Sequence, residues 1–160
     1  MLPLYFLRHA DAEPFSAAGD AQRPLTMKGL AQAKRVGEFC ARVGIAPAAI
    51  LHSPYLRTTE TAEIVGRHLG IKLTSAKFLA SGMQPTAAFD ELNARRGANG
   101  SLMLVGHEPD FSELIGTLIG GGAVPARVVV KKASLTLVET DEFRPGGGQL
   151  VFAMPMKLLQ

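Results

Sequence analysis

The stretch LPLYFLRHA, residues 2–10, decides how the rest of the chain is read. Its first six residues form an unbroken apolar run, the pattern of a buried strand. The run stops at Arg8 and His9. In an open parallel sheet, ligands bind at the carboxyl ends of the strands. A charged pair at that place matters only if other strands bring partners to the same edge.

Working outward, strand and helix signals alternate. Residues 8–24 form a polar loop with Gly and Pro. Residues 25–44 predict a helix with Thr26 as N-cap, Gly44 as stop, and Leu30, Ala33, Val36, Phe39 or Cys40, and Val43 facing inward. Residues 48–54 predict a short strand. Residues 55–70 predict a helix with Ala62, Val65 and Leu69 on one face, and residues 71–79 an extended segment. A helix over 84–97, a strand over 101–109 and a helix over 110–122 follow, the last with Phe111, Leu114, Ile115, Leu118 and Ile119 inward. Residues 126–139 and 147–155 predict two closing strands, an antiparallel pair with the last at an edge. Strands separated by helices of this length imply a mostly parallel sheet in an α/β sandwich, and the 160 residues suit one domain, 1–160.

Composition narrows the function classes. Hydrophobic residues make up 47% and charged residues 19%, a globular balance. No apolar run approaches the ~18 residues of a membrane span, and the first residues read as a strand, not a leader. The net charge of +3 is scattered, with identical basic pairs only at 95–96 (RR) and 131–132 (KK), so no nucleic-acid surface is expected. The single cysteine, Cys40, sits in a predicted helix and reads as core; one cysteine fits a reducing compartment, so a cytoplasmic protein is expected.

The polar residues then fall into place. The second predicted strand ends at His52 and Ser53, with Arg57 in the first turn of the next helix; a later one ends at Gly106, His107 and Glu108. One sheet edge therefore collects Arg8, His9, Arg57 and His107. Two arginine forks with histidine donors suit a tetrahedral dianion, and His9 could attack phosphorus in line while fixed charges stabilise the transferring oxygens. A metal reading, His9, His52 and His107 with Asp11 or Glu108, has suitable residue types. It is disfavoured because Arg8 and Arg57 would sit beside the cation, so no metal or other cofactor is expected. His68, Arg95, Arg96, Glu60, Glu63, Asp90 and Glu91 read as outer helix residues, and His52 as a residue that hydrogen-bonds its own turn or joins the site.

Four segments in order, LRHADAE (7–13), RPLTMKGLAQA (23–33), SPYLRTTETA (53–62) and VGHEP (105–109), resemble the histidine phosphatase superfamily, most like its short bacterial SixA-type phosphohistidine phosphatases. The resemblance implies a three-layer α/β/α sandwich of the phosphoglycerate mutase-like fold. It implies His9 as the nucleophile that becomes phosphohistidine, Arg8, Arg57 and His107 as phosphoryl-binding groups, and Arg23 as a further pocket arginine. The alternative for Arg23 is a loop-to-helix anchor.

Two departures stand out. Ala10 replaces the signature glycine, and residues 78–86, FLASGMQPT, carry no carboxylate where relatives place a general acid. Glu108 stands as acid or as helix cap, with Asp11 a weaker acid. A site short of an acid suits a phosphoramidate, whose imidazole leaves readily. A short chain with room for a cap only within 71–100 suits a protein substrate. The expected activity is metal-independent hydrolysis of phosphohistidine on a signalling protein. The alternatives are a small-molecule phosphomonoesterase and a phosphate-binding module without turnover; neither nucleic acid nor membrane is an expected partner.

Overall fold

The computed structural model describes residues 1–95, 100–121 and 124–159. Six strands of these described residues form one sheet: β1 (Leu2–Arg8), β2 (Ala49–His52), β3 (Leu73–Ser75), β4 (Leu102–Gly106), β5 (Leu135–Thr140) and β6 (Gly148–Met154), in the order β3-β2-β4-β1-β5-β6. The first four run parallel, with Leu4 opposite Leu102 and Ala49 opposite the same residue from the other side. β5 lies antiparallel to β1 and β6 antiparallel to β5, so the final strand closes one edge. Among the described residues four α-helices cover the sheet: α1 (Met27–Val43), α2 (Leu56–Leu69), α3 (Pro85–Arg95) and α4 (Asp110–Gly120).

The alternation of side chains along β1 divides the core in two. Leu4 and Phe6 pack with Ala88, Phe89 and Leu92 of α3 and Phe111, Leu114, Ile115 and Leu118 of α4. Leu7 packs on the other face with Ala33, Val36 and Cys40 of α1 and Ala62 and Val65 of α2. This is the expected three-layer α/β/α sandwich. No described helix is long and apolar enough to cross a membrane.

Thr26 caps α1 by accepting the Gly29 N–H, and Gly44 ends it in the left-handed region at φ 76°. The buried stripe of α1 is nevertheless rotated from the periodicity reading. Leu30 and Val43 are exposed at 39% and 51%, while Gly29, Gln32 and Gly37 lie inside. The cause is close approach: a Cβ on Gly29 would overlap the Asp11 carbonyl oxygen, and one on Gly37 would meet the His68 ring. Two glycines, invisible to a hydrophobicity count, set which face docks.

Three other expectations are corrected. The extended segment at 71–79 shrinks to β3 and a helical turn, Lys77–Leu79. The strand expected over 126–139 begins only at Leu135, because the preceding residues wrap the end of β1 instead of pairing. Val130 O accepts from Arg8 Nη1, Ala133 N–H donates to Arg8 O, and Ala133 turns through φ 55°. Within 71–100, α3 buries its apolar residues in the sheet core, so it forms part of a layer and not a cap. Arg96, Gly97 and Gly122 lie outside the described residues.

Candidate active site

β1 delivers Arg8 and His9 to the carboxyl edge, and β4, its parallel neighbour, delivers His107 beside them. The two imidazole rings lie 5.5 Å apart, centroid to centroid. His9 is held by its own turn: its backbone N–H donates to Gly106 O at 3.0 Å, and its Nδ1 lies 2.7 Å from Ala10 O. A carbonyl can only accept, so Nδ1 carries the proton and Nε2 keeps its lone pair. Burial, reinforced by the charges of Arg57, Arg8 and Arg23, pushes the His9 pKa down to about 4. The ring is therefore a neutral base at pH 7.

Ala10 sits where the signature glycine would be. It is fully buried in the α1/α2-side core and is not among the residues with positive φ, so the backbone there does not require glycine. Its N–H donates to Thr61 Oγ1 at 3.1 Å, and that hydroxyl donates to Arg57 O at 2.7 Å. Thr61 thus ties the loop after His9 to the first turns of α2.

Arg57 is 4% exposed, and its guanidinium lies over the Tyr55 ring at 5.0 Å. Nη1 donates to Asp20 O at 2.9 Å, and Nη2 lies 3.3 Å from Asp20 Oδ2. Arg23 donates from Nε to Asp20 Oδ1 at 2.8 Å and from Nη1 to Glu13 O at 2.7 Å. It is thus the loop anchor as well as a charge felt by both histidines. Arg8 spends Nη1 on Val130 O, while Nε of both Arg8 and Arg57 is buried without a partner among the described residues. Burial also lowers the pKa of Arg8 and Arg57, but from so high a value that both stay charged.

His107 is 1% exposed, and its Nε2 lies 2.7 Å from Ser53 Oγ. Burial and the neighbouring Arg57 push its pKa down to about 3. Tyr55 packs edge-on against it at 4.9 Å. Glu108 Oε1 accepts the Ser112 N–H at 2.7 Å, so the residue caps α4; its charge also acts on Arg8. Asp11 is committed to Lys132 Nζ and Thr26 Oγ1, both at 2.8 Å, which hold its carboxyl below the usual range. His52 is buried and bonds its own turn, Nδ1 to Ser53 O at 2.8 Å.

Away from the site, His68 bonds Ile64 O, Arg95 pairs with Glu91, and burial pushes the Cys40 thiol up to about 12, as a core cysteine requires. Glu60, read as an outer residue, instead accepts the Leu25 N–H at 2.7 Å.

The structure therefore gathers Arg8, His9, Arg23, Arg57, His107 and Glu108 at one edge and leaves His52 to its turn. It adds Asp20, Ser53, Tyr55 and Thr61. Ser53 and Thr61 lie within the segment SPYLRTTETA, and the sign to follow was their spacing from Arg57. Asp20 had only its place three residues before Arg23 to mark it. Chemically, the set offers one unprotonated imidazole nitrogen in the field of three guanidinium groups, an arrangement fit for a phosphoryl group.

Comparison with known proteins agrees. The family model described as histidine phosphatase superfamily (branch 1) matches residues 4–80. An uncharacterized protein of Picosynechococcus sp. is 33% identical over 118 residues, covering 70% of each chain. The chain belongs to the histidine phosphatase superfamily. Together with a relative that is itself a phosphatase, this membership makes the protein a phosphatase. It is also similar to phosphohistidine phosphatase SixA of Escherichia coli, 28% identical over 145 residues, which cover 87% of this chain and 88% of that one. A structure of the protein histidine phosphatase SixA complexed with tungstate superposes with a TM-score of 0.88 at 23% identity, covering 99% of this chain and 100% of that one. That likeness confirms the superfamily's sandwich.

Proposed function

We propose that this chain is a metal-independent phosphohistidine phosphatase that acts on a histidine-phosphorylated signalling protein in the cytoplasm. The observation that carries the reading is the His9–Ala10 hydrogen bond, which leaves Nε2 unprotonated among Arg8, Arg23 and Arg57. Nε2 attacks phosphorus, the P–N bond to the substrate imidazole breaks, and the departing nitrogen keeps the electron pair, so that a ring already protonated on its other nitrogen leaves as neutral imidazole with no proton from the site. Water then attacks the phosphoryl group on His9 and releases inorganic phosphate. Arg8, Arg57 and His107 hold the phosphoryl oxygens, and Arg23 adds charge.

The substrate class is supported by how the carboxylates are used. Asp11 is paired with Lys132 and Asp20 with Arg23 and Arg57; both are held ionised, and Glu108 accepts an amide N–H. None is presented as a ready proton donor. A leaving imidazole tolerates that; an alkoxide does not. The similarity to phosphohistidine phosphatase SixA points the same way. The guanidinium cluster, which would repel a divalent cation, supports catalysis without metal.

The test is turnover on a phosphohistidine-bearing phosphotransfer protein against a panel of phosphomonoesters, with and without EDTA. The expected result is dephosphorylation of the protein substrate, unchanged by chelation. Activity that is lost on chelation and restored by zinc or manganese overturns the metal-independent reading; turnover of phosphomonoesters alone makes the protein a small-molecule phosphomonoesterase; binding of phosphate without any turnover makes it a binding module.

A further inference from the structure

We propose that Ser53 is a positioning residue: it fixes His107 as the tautomer protonated on Nδ1 and so makes that nitrogen a donor to a phosphoryl oxygen. The inference rests on the reading of this edge as a phosphoryl site.

The argument is an accounting of hydrogens. Ser53 is fully buried, so water cannot complete its bonding. Its backbone is pinned on both sides: N–H donates to Val105 O at 3.0 Å, and its carbonyl takes Thr58 Oγ1 at 2.9 Å and His52 Nδ1 at 2.8 Å. Oγ already accepts the Tyr55 N–H at 3.3 Å. Its own hydrogen has one acceptor within reach among the described residues, His107 Nε2 at 2.7 Å. When Ser53 donates there, Nε2 uses its lone pair and the neutral ring carries its proton on Nδ1. The opposite arrangement, with Nε2–H donating to Ser53, strands two groups: the serine hydrogen has no acceptor, and Nδ1 is left as a bare lone pair. Buried polar groups are rarely left unsatisfied, so the first arrangement prevails.

That arrangement leaves one group over. Nδ1 of His107 is buried and has no partner among the described residues. As N–H it is complementary to a phosphoryl oxygen; as a lone pair it would repel one. Burial and the nearby Arg57 also disfavour a ring protonated at both nitrogens before a phosphoryl group arrives. Ser53 thus acts through His107, supplying directionality and not charge.

The test is ring ¹⁵N NMR of His107, assigned with His107→Asn, on the whole chain at pH 7 with and without saturating inorganic phosphate. Wild type is expected to show a protonated Nδ1 and an unprotonated Nε2, with the Nδ1 proton moving downfield on addition of phosphate. In Ser53→Ala the ring population should move toward Nε2–H, and kcat/KM should fall roughly 10–100-fold, the range found when the hydrogen bond that fixes a metal-bound histidine ring is removed. An Nε2–H or doubly protonated ring in wild type overturns the proposal, even if Ser53→Ala fails to fold. So does an unchanged spectrum in a folded Ser53→Ala, or an Nδ1 proton indifferent to phosphate. If the tautomer and the phosphate response are as expected but no substrate turns over, the catalytic reading fails and the assignment of Ser53 stands.

Discussion

Arg57 commits both terminal nitrogens to Asp20, Nη1 to the carbonyl oxygen at 2.9 Å and Nη2 to Oδ2 at 3.3 Å. The same carboxylate takes Arg23 Nε through Oδ1. Asp20 therefore sets two guanidinium planes at once, and a phosphoryl group must share or displace its oxygens. A lysine at 57 keeps the charge but has one ammonium where a planar fork is needed. Arg57→Lys should lower kcat/KM about tenfold or more, at least about 1.4 kcal/mol of transition-state stabilisation. An unchanged kcat/KM would show that only charge is required.

His9→Ala should abolish turnover while leaving the thermal midpoint near that of wild type. The ring, though buried, contributes one hydrogen bond to Ala10 O and sits at a strand end beside the His107 ring, among polar groups. Wild type quenched during turnover should carry phosphate that is labile to acid and stable to base, and His9→Ala should carry none.

The two site histidines also make stability depend on pH. Both have folded pKa values below the ordinary 6.5, His9 at about 4 and His107 at about 3, chiefly through burial. Below pH 6.5 the unfolded chain takes up two protons that the folded chain refuses, so stability falls as pH falls. The contribution is complete above pH 6.5 and is lost through the window down to about 4, where His9 also protonates in the fold. The lowered carboxyls of Asp11 and Asp20 act in the same direction, but only below their ordinary 3.8. The urea midpoint should therefore decline between pH 7 and pH 4.5, and the decline should flatten in His9→Asn/His107→Asn.

Much of this site could be read from residue order because its parts sit at strand ends. Arg8, His9 and His107 follow buried apolar runs, and a parallel sheet carries such ends to one edge. Arg57 was legible from its place one turn into a helix. Asp20 and Thr61 were not, because their work is to orient other side chains across 37 and 51 residues of sequence, to Arg57 and Ala10. Nor was the path of residues 124–134. Its valines have strand composition, yet the segment satisfies Arg8 instead of a ladder. Local pattern reports what a segment can form; the half-buried guanidinium beside it bears on what it does form.

The contact between Gly29 and the loop after His9 gives a sharp stability test. A methyl group at 29 would overlap the Asp11 carbonyl oxygen, which already receives the Thr26 N–H. Backbone cannot rotate away as a side chain can. Gly29→Ala should cost about 3 kcal/mol or more, the upper range for overpacking, despite alanine's better helix propensity. Leu30→Ala, one residue along on the exposed side, should stay within about 0.5 kcal/mol. Equal effects on the thermal midpoint would refute the close packing of α1 on this loop.

Glu108 can be tested for proton donation separately from capping. Its Oε1 accepts the Ser112 N–H, and a glutamine oxygen accepts it equally well. Glu108→Gln should therefore preserve the start of α4, whereas Glu108→Ala should lose about 0.5–2 kcal/mol. Any change confined to chemistry then appears in Glu108→Gln alone. A phosphohistidine substrate releases an imidazole and needs little help, so its turnover should stay within about threefold. An unactivated alkyl phosphate needs its leaving oxygen protonated, and a general acid typically supplies about 10²–10⁴-fold. If Glu108 donates that proton, whatever alkyl phosphatase activity the wild type has should fall by about that factor; if Glu108 only caps α4, that activity should survive Glu108→Gln. A uniform loss across both substrate classes would instead assign Glu108 to the field around Arg8, whose charge it offsets. Efficient wild-type hydrolysis of a sugar phosphate, with phosphohistidine protein untouched and Glu108→Gln inactive, would identify Glu108 as the acid of a small-molecule phosphomonoesterase.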